Sequence, residues 1–144
     1  MSENVPSEFD DFLSEPRNAI LCISRGESDV LEAPHATPVW FDYSAGFFRV
    51  SITRRRVKYR LLQAQPLVTL VIDDASSYRT VVISGRAEII EDESSLLTLR
   101  KKLHAKYEFG DGLLSDDELL RSLREEGRVV VSITPEDVLS WAGG

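Results

Sequence analysis

The chain has 144 residues, 42% hydrophobic and 28% charged, the size and make-up of one folded domain over residues 1–144 rather than a disordered segment. Twenty-four acids against seventeen bases leave a net charge of −7, a poor balance for a general nucleic-acid binder. One cysteine, Cys22, excludes an intrachain disulfide and an all-cysteine metal site, and no apolar run is long enough to span a membrane. The first base is Arg17, after Glu3, Glu8, Asp10 and Asp11, which is the wrong charge for a targeting signal, so a cytoplasmic location is expected.

Residues 1–6 read as a loose tail. Ser7 is a candidate N-cap for a short helix whose Phe9, Phe12 and Leu13 share a face, stopped by Pro16. Residues 19–23 (Ala-Ile-Leu-Cys-Ile) read as a buried strand that makes Cys22 an inert core thiol, with a turn at 25–28. Residues 37–43 are rich in β formers, and Pro38 puts the start of that strand at an edge or a bulge. After a turn at 44–46, Phe48, Val50 and Ile52 define one face of a strand over 47–52, and the two strands are expected to pair as a hairpin. Residues 53–65 read as a helix with Thr53 as N-cap and Val57, Leu61 and Ala64 inward.

A strand over 67–72, a loop at 73–77 and a long strand over 80–90 follow, with Gly85 marking a bulge. Leu96, Leu99, Leu103 and Tyr107 form a helical stripe, and Phe109-Gly110-Asp111-Gly112 a loop. Ser115 with Glu118 opens a surface helix that Gly127 ends. A strand over 128–134 leads to a turn at Pro135-Glu136-Asp137 and a last segment, 138–141. Consecutive strands with few helices point to a mainly β fold, an antiparallel barrel with helical insertions.

The distribution of charge says more than its sum. The thirty residues between Asp42 and Asp73 contain no acid, where average density would place about five. Inside that window lie Arg49, Arg54, Arg55, Arg56, Lys58 and Arg60. The run falls where a strand feeds a helix N-terminus, with Ser51 and Thr53 alongside. Free backbone N–H groups, hydroxyls and cations together make a phosphate site. A solvated helix face is the competing reading. On a helix beginning at residue 53, Arg56 and Lys58 point apart, so both reach one anion only if the helix starts late. His35 and His104 are not spaced as metal ligands, and no catalytic side chain is named. Trp40 and Phe41 suit either the core or a stacking platform.

From residue 12 to 92 the chain resembles the pyridoxamine 5'-phosphate oxidase-like split-barrel family, and within it the short flavin- and deazaflavin-dependent oxidoreductases. The resemblance is carried by Phe12-Leu13-Ser14-Glu15-Pro16-Arg17, His35-Ala36-Thr37-Pro38-Val39-Trp40-Phe41, Phe48-Arg49-Val50-Ser51 and Arg56-Val57-Lys58-Tyr59-Arg60-Leu61-Leu62. It continues in Val68-Thr69-Leu70-Val71-Ile72-Asp73-Asp74 and Gly85-Arg86-Ala87-Glu88-Ile89-Ile90. It implies a homodimer of six-stranded antiparallel split β-barrels that binds FMN or coenzyme F420 at the interface. The cofactor phosphate would meet Ser51, Arg56 and Lys58, with Thr53 and Arg55 as neighbours. The ring would lie along Thr37, Pro38, Val39 and Trp40, and Tyr78 and Arg79 would reach it from the second chain.

The expected activity is hydride transfer between the cofactor and a small electrophilic molecule. The surplus of arginine at 54–56 leans toward coenzyme F420. Residues 26–35 form a longer segment than the family's tight turn, and the chain ends soon after Trp141 without the basic tail of the true oxidases. A small barrel is filled by its own side chains, so a tricyclic ring must lie outside it. A second subunit is the simplest cover, with Trp40, Phe41 and Tyr43 as an aromatic interface burying more than roughly 2,000 Å². Two readings from other classes stand beside this one. One is a flavin or haem carrier using His35; the other is a single-stranded nucleic-acid groove built from Arg54 to Arg60 with Phe47, Phe48 and Tyr59.

Overall fold

The computed structural model describes residues 4–25, 32–110 and 114–143. A 3₁₀ turn (Ser7–Phe9) runs into α1 (Asp10–Ser14). Then come β1 (Ala19–Ile23), β2 (His35–Val39), β3 (Asp42–Ser44), β4 (Phe47–Thr53), α2 (Val57–Ala64), β5 (Leu67–Asp74) and β6 (Arg79–Ile90). The chain continues through α3 (Glu93–Tyr107), α4 (Asp116–Glu126) and β7 (Arg128–Ala142). Among the described residues the seven strands form one antiparallel sheet in the order β2-β1-β5-β6-β7-β4-β3.

Connectivity forces this sheet to curl. β2 and β3 are its two edges, yet only Trp40 and Phe41 separate them. Three peptide steps span at most about 11 Å, so the edges meet and the sheet is a barrel split at that point. Phe41 fills the inside with Phe48, Val50, Ile52, Leu21, Ile23, Leu70, Ile72 and Ile83, all buried. The first helical residues cap this core through Phe9, Phe12 and Leu13, as their spacing predicts.

The crossing at Trp40–Phe41 also corrects the expected hairpin. Residues 35–39 pair with β1, and only Asp42–Ser44 pairs with β4. One expected strand is therefore two, which turns six strands into seven. Pro38 does sit on an edge strand, where its missing N–H costs no ladder bond. Phe41 is wholly buried and Tyr43 packs on the core, so of that aromatic trio only Trp40 is left for an interface.

Four more expectations change. Val5 is buried in the core, so 4–6 are not a loose tail, and residues 1–3 lie outside the described residues. Ser7 begins the 3₁₀ turn and caps nothing. β1 alternates, so Cys22 faces the outer side of the sheet and is half-buried, no core thiol. Residues 135–137 do not turn: β7 runs on through them, and the bulge absorbs Glu136 as an extra residue opposite Ser84/Gly85. The bulge at Gly85 itself is as read. A Cβ there would lie 2.0 Å from the Thr134 carbonyl oxygen, so no other residue fits.

The helices between β6 and β7 build a second small core. Leu96, Leu99 and Leu103 of α3 meet Leu119 and Leu123 of α4 over Val130 of β7. Asp92 caps α3 through the Ser95 N–H, and Ser115 with Glu118 forms a capping box on α4. Gly127 ends α4 in the left-handed region at φ 70°, which glycine adopts without strain. The pair thus forms a wall over one end of the sheet. The turn at 25–28 and the loop at 109–112 lie only partly within the described residues, as does the segment 26–35.

Candidate functional site

A cleft of about 790 Å³ opens beside the split in the barrel. Its floor is the end of β2 and the end of β4, one side is the start of α2, and the other is the α3–α4 wall with the first residue of β7.

The start of α2 explains how two bases reach one place. The Arg54 N–H donates to the Gly127 carbonyl (2.9 Å), which keeps the chain tied to the β7 end, and the Arg56 N–H donates to the Thr53 carbonyl (3.1 Å). Residues 53–56 form a turn and the helix begins only at Val57, with Arg56 extended at its N-cap and no side-chain cap. Thr53 is therefore not a cap. The helix face shifts with the start: Leu62 is buried and Tyr59 packs on the core, while Val57 and Ala64 point outward. The late start puts Arg56 and Lys58 on the same cleft with Ser51 and Thr53.

The basic run is sorted by this geometry. Arg54 pairs with Glu91 (3.0 Å), whose carboxylate also accepts from Tyr59 (3.5 Å). Arg55 donates to the Glu125 carbonyl at 3.5 Å and does not line the cleft. Arg49 stacks over the Phe47 ring. By contrast, the side chains of Ser51, Thr53, Arg56 and Lys58 make no hydrogen bond or ion pair with any described residue. Burial, and then the charges of Arg56 and Arg128, push the Lys58 ammonium below its ordinary range. Orphan N–H groups of the first turn of α2 lie at the same end. Unpaired cations, free hydroxyls and a helix start together fit a phosphate group.

Thr37, Pro38, Val39 and Trp40 line the facing edge. Trp40 is held by α3: its indole stacks on Tyr107 with centroids 4.4 Å apart and planes at 6°, and the Phe109 ring meets its edge at 5.6 Å. The Tyr107 hydroxyl accepts from the Phe41 N–H (3.1 Å) and donates to the Arg17 carbonyl (2.8 Å). Lys106, one residue earlier, donates to the carbonyls of Leu13 and Phe41, both at 2.8 Å, and lies over the Phe41 ring. Burial, reinforced by Arg17 and opposed by Asp42, lowers its pKa to about 8. The last turn of α3 thereby fixes the point where β2 leaves one sheet edge for the other. Trp40 remains 39% exposed and presents a planar apolar surface to the cleft.

Eight of the expected positions therefore meet here: Thr37, Pro38, Val39, Trp40, Ser51, Thr53, Arg56 and Lys58. Arg55, Tyr78 and Arg79 do not. Tyr78 lies in the β5–β6 turn with φ 54° and is 64% exposed, and Arg79 pairs with Ala142 in the sheet. Sequence reasoning missed the α3–α4 side: Arg100, His104, Glu126 and Arg128. One signal was available, because Arg100 lies four residues after Leu96 and three before Leu103, beside the buried stripe. The nucleic-acid groove does not form. Phe48 is in the core, Tyr59 packs against it, and Arg54 is paired. His35 accepts from Arg25 on Nδ1 (3.0 Å) and does not line the cleft.

A curled antiparallel sheet, split beside an anion-fitting cleft, defines the split-barrel class. The chain belongs to the pyridoxamine 5'-phosphate oxidase family, whose family model matches residues 5–142. Solved structures share the fold. An F420 reductase is 23% identical, with 94% of this chain and 98% of that chain covered at a TM-score of 0.70. A conserved hypothetical protein from Mycobacterium tuberculosis is 23% identical, with 98% and 86% covered at 0.77. The heme storage protein HutZ from Vibrio cholerae is 16% identical, with 95% and 94% covered at 0.66. Comparison with curated protein sequences finds no match. Among the described residues no helix is long and apolar enough to cross a membrane.

Proposed function

We propose that the chain is a cofactor-dependent oxidoreductase that holds coenzyme F420 or FMN in this cleft and passes hydride between it and an electrophilic small molecule. One observation carries the reading: the side chains of Ser51, Thr53, Arg56 and Lys58 converge without partners among the described residues, at the place where the family resemblance puts the cofactor phosphate. The name of one structural neighbour, an F420 reductase, is in keeping with it. The arginine surplus no longer favours coenzyme F420, because Arg54 and Arg55 are turned away from the cleft.

The bound cofactor supplies the redox chemistry. The chain's residues do the rest. Arg56 and Lys58 hold the phosphate, the 37–40 edge aligns the ring, and the Tyr107-braced Trp40 excludes water from one side of it. No side chain of the cleft is assigned a proton-transfer role.

A second copy of the chain would complete the cover. The outward residues Ile20, Val71, Val82 and Leu139 are neighbours by strand register and make an apolar row across β1, β5, β6 and β7. Solvated faces of antiparallel sheets are ordinarily polar, so a homodimer burying this row is the assembly we propose, with Tyr78 and Arg79 approaching the partner's ring. Titration of the purified protein with FMN and with coenzyme F420, read by absorbance and fluorescence quenching, tests the function. Failure to bind either below about 1 mM, roughly −4 kcal/mol, overturns it. Sedimentation that finds only monomer, still binding cofactor at full affinity, overturns the shared site.

A further inference from the structure

The cleft has a second cationic group, and it is already occupied. Glu126 accepts from Arg128 Nε at 2.8 Å and from Arg100 Nη2 at 3.2 Å, both on Oε2. Among the described residues lining the cleft it is the sole acid. The Arg100 side chain is largely buried, and its guanidinium makes no other hydrogen bond with a described residue. Arg128 lines the same cleft as Lys58, and its charge contributes to lowering the Lys58 pKa. The cations thus run from Arg56 and Lys58 through Arg128 to Arg100, and one carboxylate holds the far half.

Helix stability does not account for that carboxylate. Glu126 is the last residue of α4, where the carbonyl ends carry partial negative charge and a base is preferred. Burial opposes its ionisation, but the bond from Arg128 and the charges of Arg100 and Arg128 outweigh burial and keep it anionic.

We propose that Glu126 is the specificity-determining residue for ligand charge: it serves Arg100 and Arg128 as an internal counter-anion, so the cleft accepts one anionic group, at Arg56 and Lys58, and rejects a second that extends toward α3. This rests on the reading of the cleft as a phosphate-bearing cofactor site. A ligand with a single terminal phosphoryl group satisfies the free half. A ligand carrying a further phosphoryl or carboxylate group on the α3 side meets the Glu126 carboxylate instead of a guanidinium.

The experiment compares inorganic phosphate and pyrophosphate as probes by calorimetry, in the wild type, Glu126→Gln and Glu126→Ala, with FMN as the control ligand. Thermal melts establish that both variants fold; alanine is the better helix former and secures a folded variant if glutamine does not. Removing one charge at about 6 Å in a half-exposed site alters affinity about tenfold. The ratio of pyrophosphate to phosphate affinity should therefore rise about tenfold in each folded variant, with a steeper loss on added salt. An unchanged ratio, or a rise in Glu126→Ala that Glu126→Gln does not share, overturns the role of Glu126. Wild-type protein that binds FMN but gains nothing on substitution refutes this inference alone. Wild-type protein that binds none of the three ligands overturns this inference, and if it also fails to bind coenzyme F420 the cofactor reading falls with it.

Discussion

Replacing Lys58 by methionine should move binding and stability in opposite directions. Methionine keeps most of the apolar stem and removes the ammonium. In the free protein that ammonium is partly buried against Arg56 and Arg128 and is paired with no described acid, so its charge is unfavourable. The position is partly buried, and solvent screening reduces the gain on substitution to roughly 0.5–1 kcal/mol. For a domain of this size that is a rise in Tm of about 1–4 °C. In the proposed complex the same ammonium would make a charge-assisted hydrogen bond to phosphate, whose loss would cost roughly 1.5–3 kcal/mol, a ten- to hundredfold weaker Kd. Scanning fluorimetry and FMN titration on one preparation measure both. A Lys58→Met protein with a lower Tm and unchanged affinity would refute the assignment, because it would make Lys58 a structural residue and the cation cluster a solvated surface.

Two other perturbations follow from the fold. Gly85→Ala drives a Cβ into the Thr134 carbonyl, a backbone atom that cannot swing aside, and should cost about 3 kcal/mol, lowering Tm by about 6–12 °C in a thermal melt. Lys106 has its pKa lowered to about 8, so the folded chain releases a proton that the unfolded chain keeps up to about 10.5. The penalty of holding it charged is complete below pH 8 and fades toward pH 10.5, while the neutral amine still has two N–H groups for Leu13 and Phe41. The stability of wild type relative to Lys106→Met should rise between pH 7 and pH 10 in denaturant melts; a constant difference refutes it.

The parts of the sequence that read correctly are those where one local rule decides. Phe48-Val50-Ile52 alternates and Ser115 and Glu118 form a capping box, each independent of distant residues. The errors arise where a distant partner decides. Residues 37–43 have the composition of a single strand, but barrel closure requires the chain to cross from edge to edge at Trp40–Phe41. Thr53 has the chemistry of an N-cap, but the bond from Arg54 to Gly127 delays the helix by a turn. The site divides in the same way. Arg56 and Lys58 were visible because the acid-free window is contiguous in sequence. Arg100, Glu126 and Arg128 were not, because α3, α4 and β7 come together only through the second leucine core.

β7 gives this architecture a timetable. It pairs with β4 over 128–133 and with β6 over 130–142, so it joins the half of the sheet that carries Ser51 and Thr53 to the half that carries β1 and β2. Every other strand precedes it in the chain. During synthesis β4 and α2 therefore wait, with one edge open and their cations exposed, until about eighty later residues have emerged. On the proposed function the cleft is complete only when the last strand seats between β6 and β4, so capture of a phosphate-bearing cofactor by a growing chain should come abruptly and late, as a report that the barrel has closed.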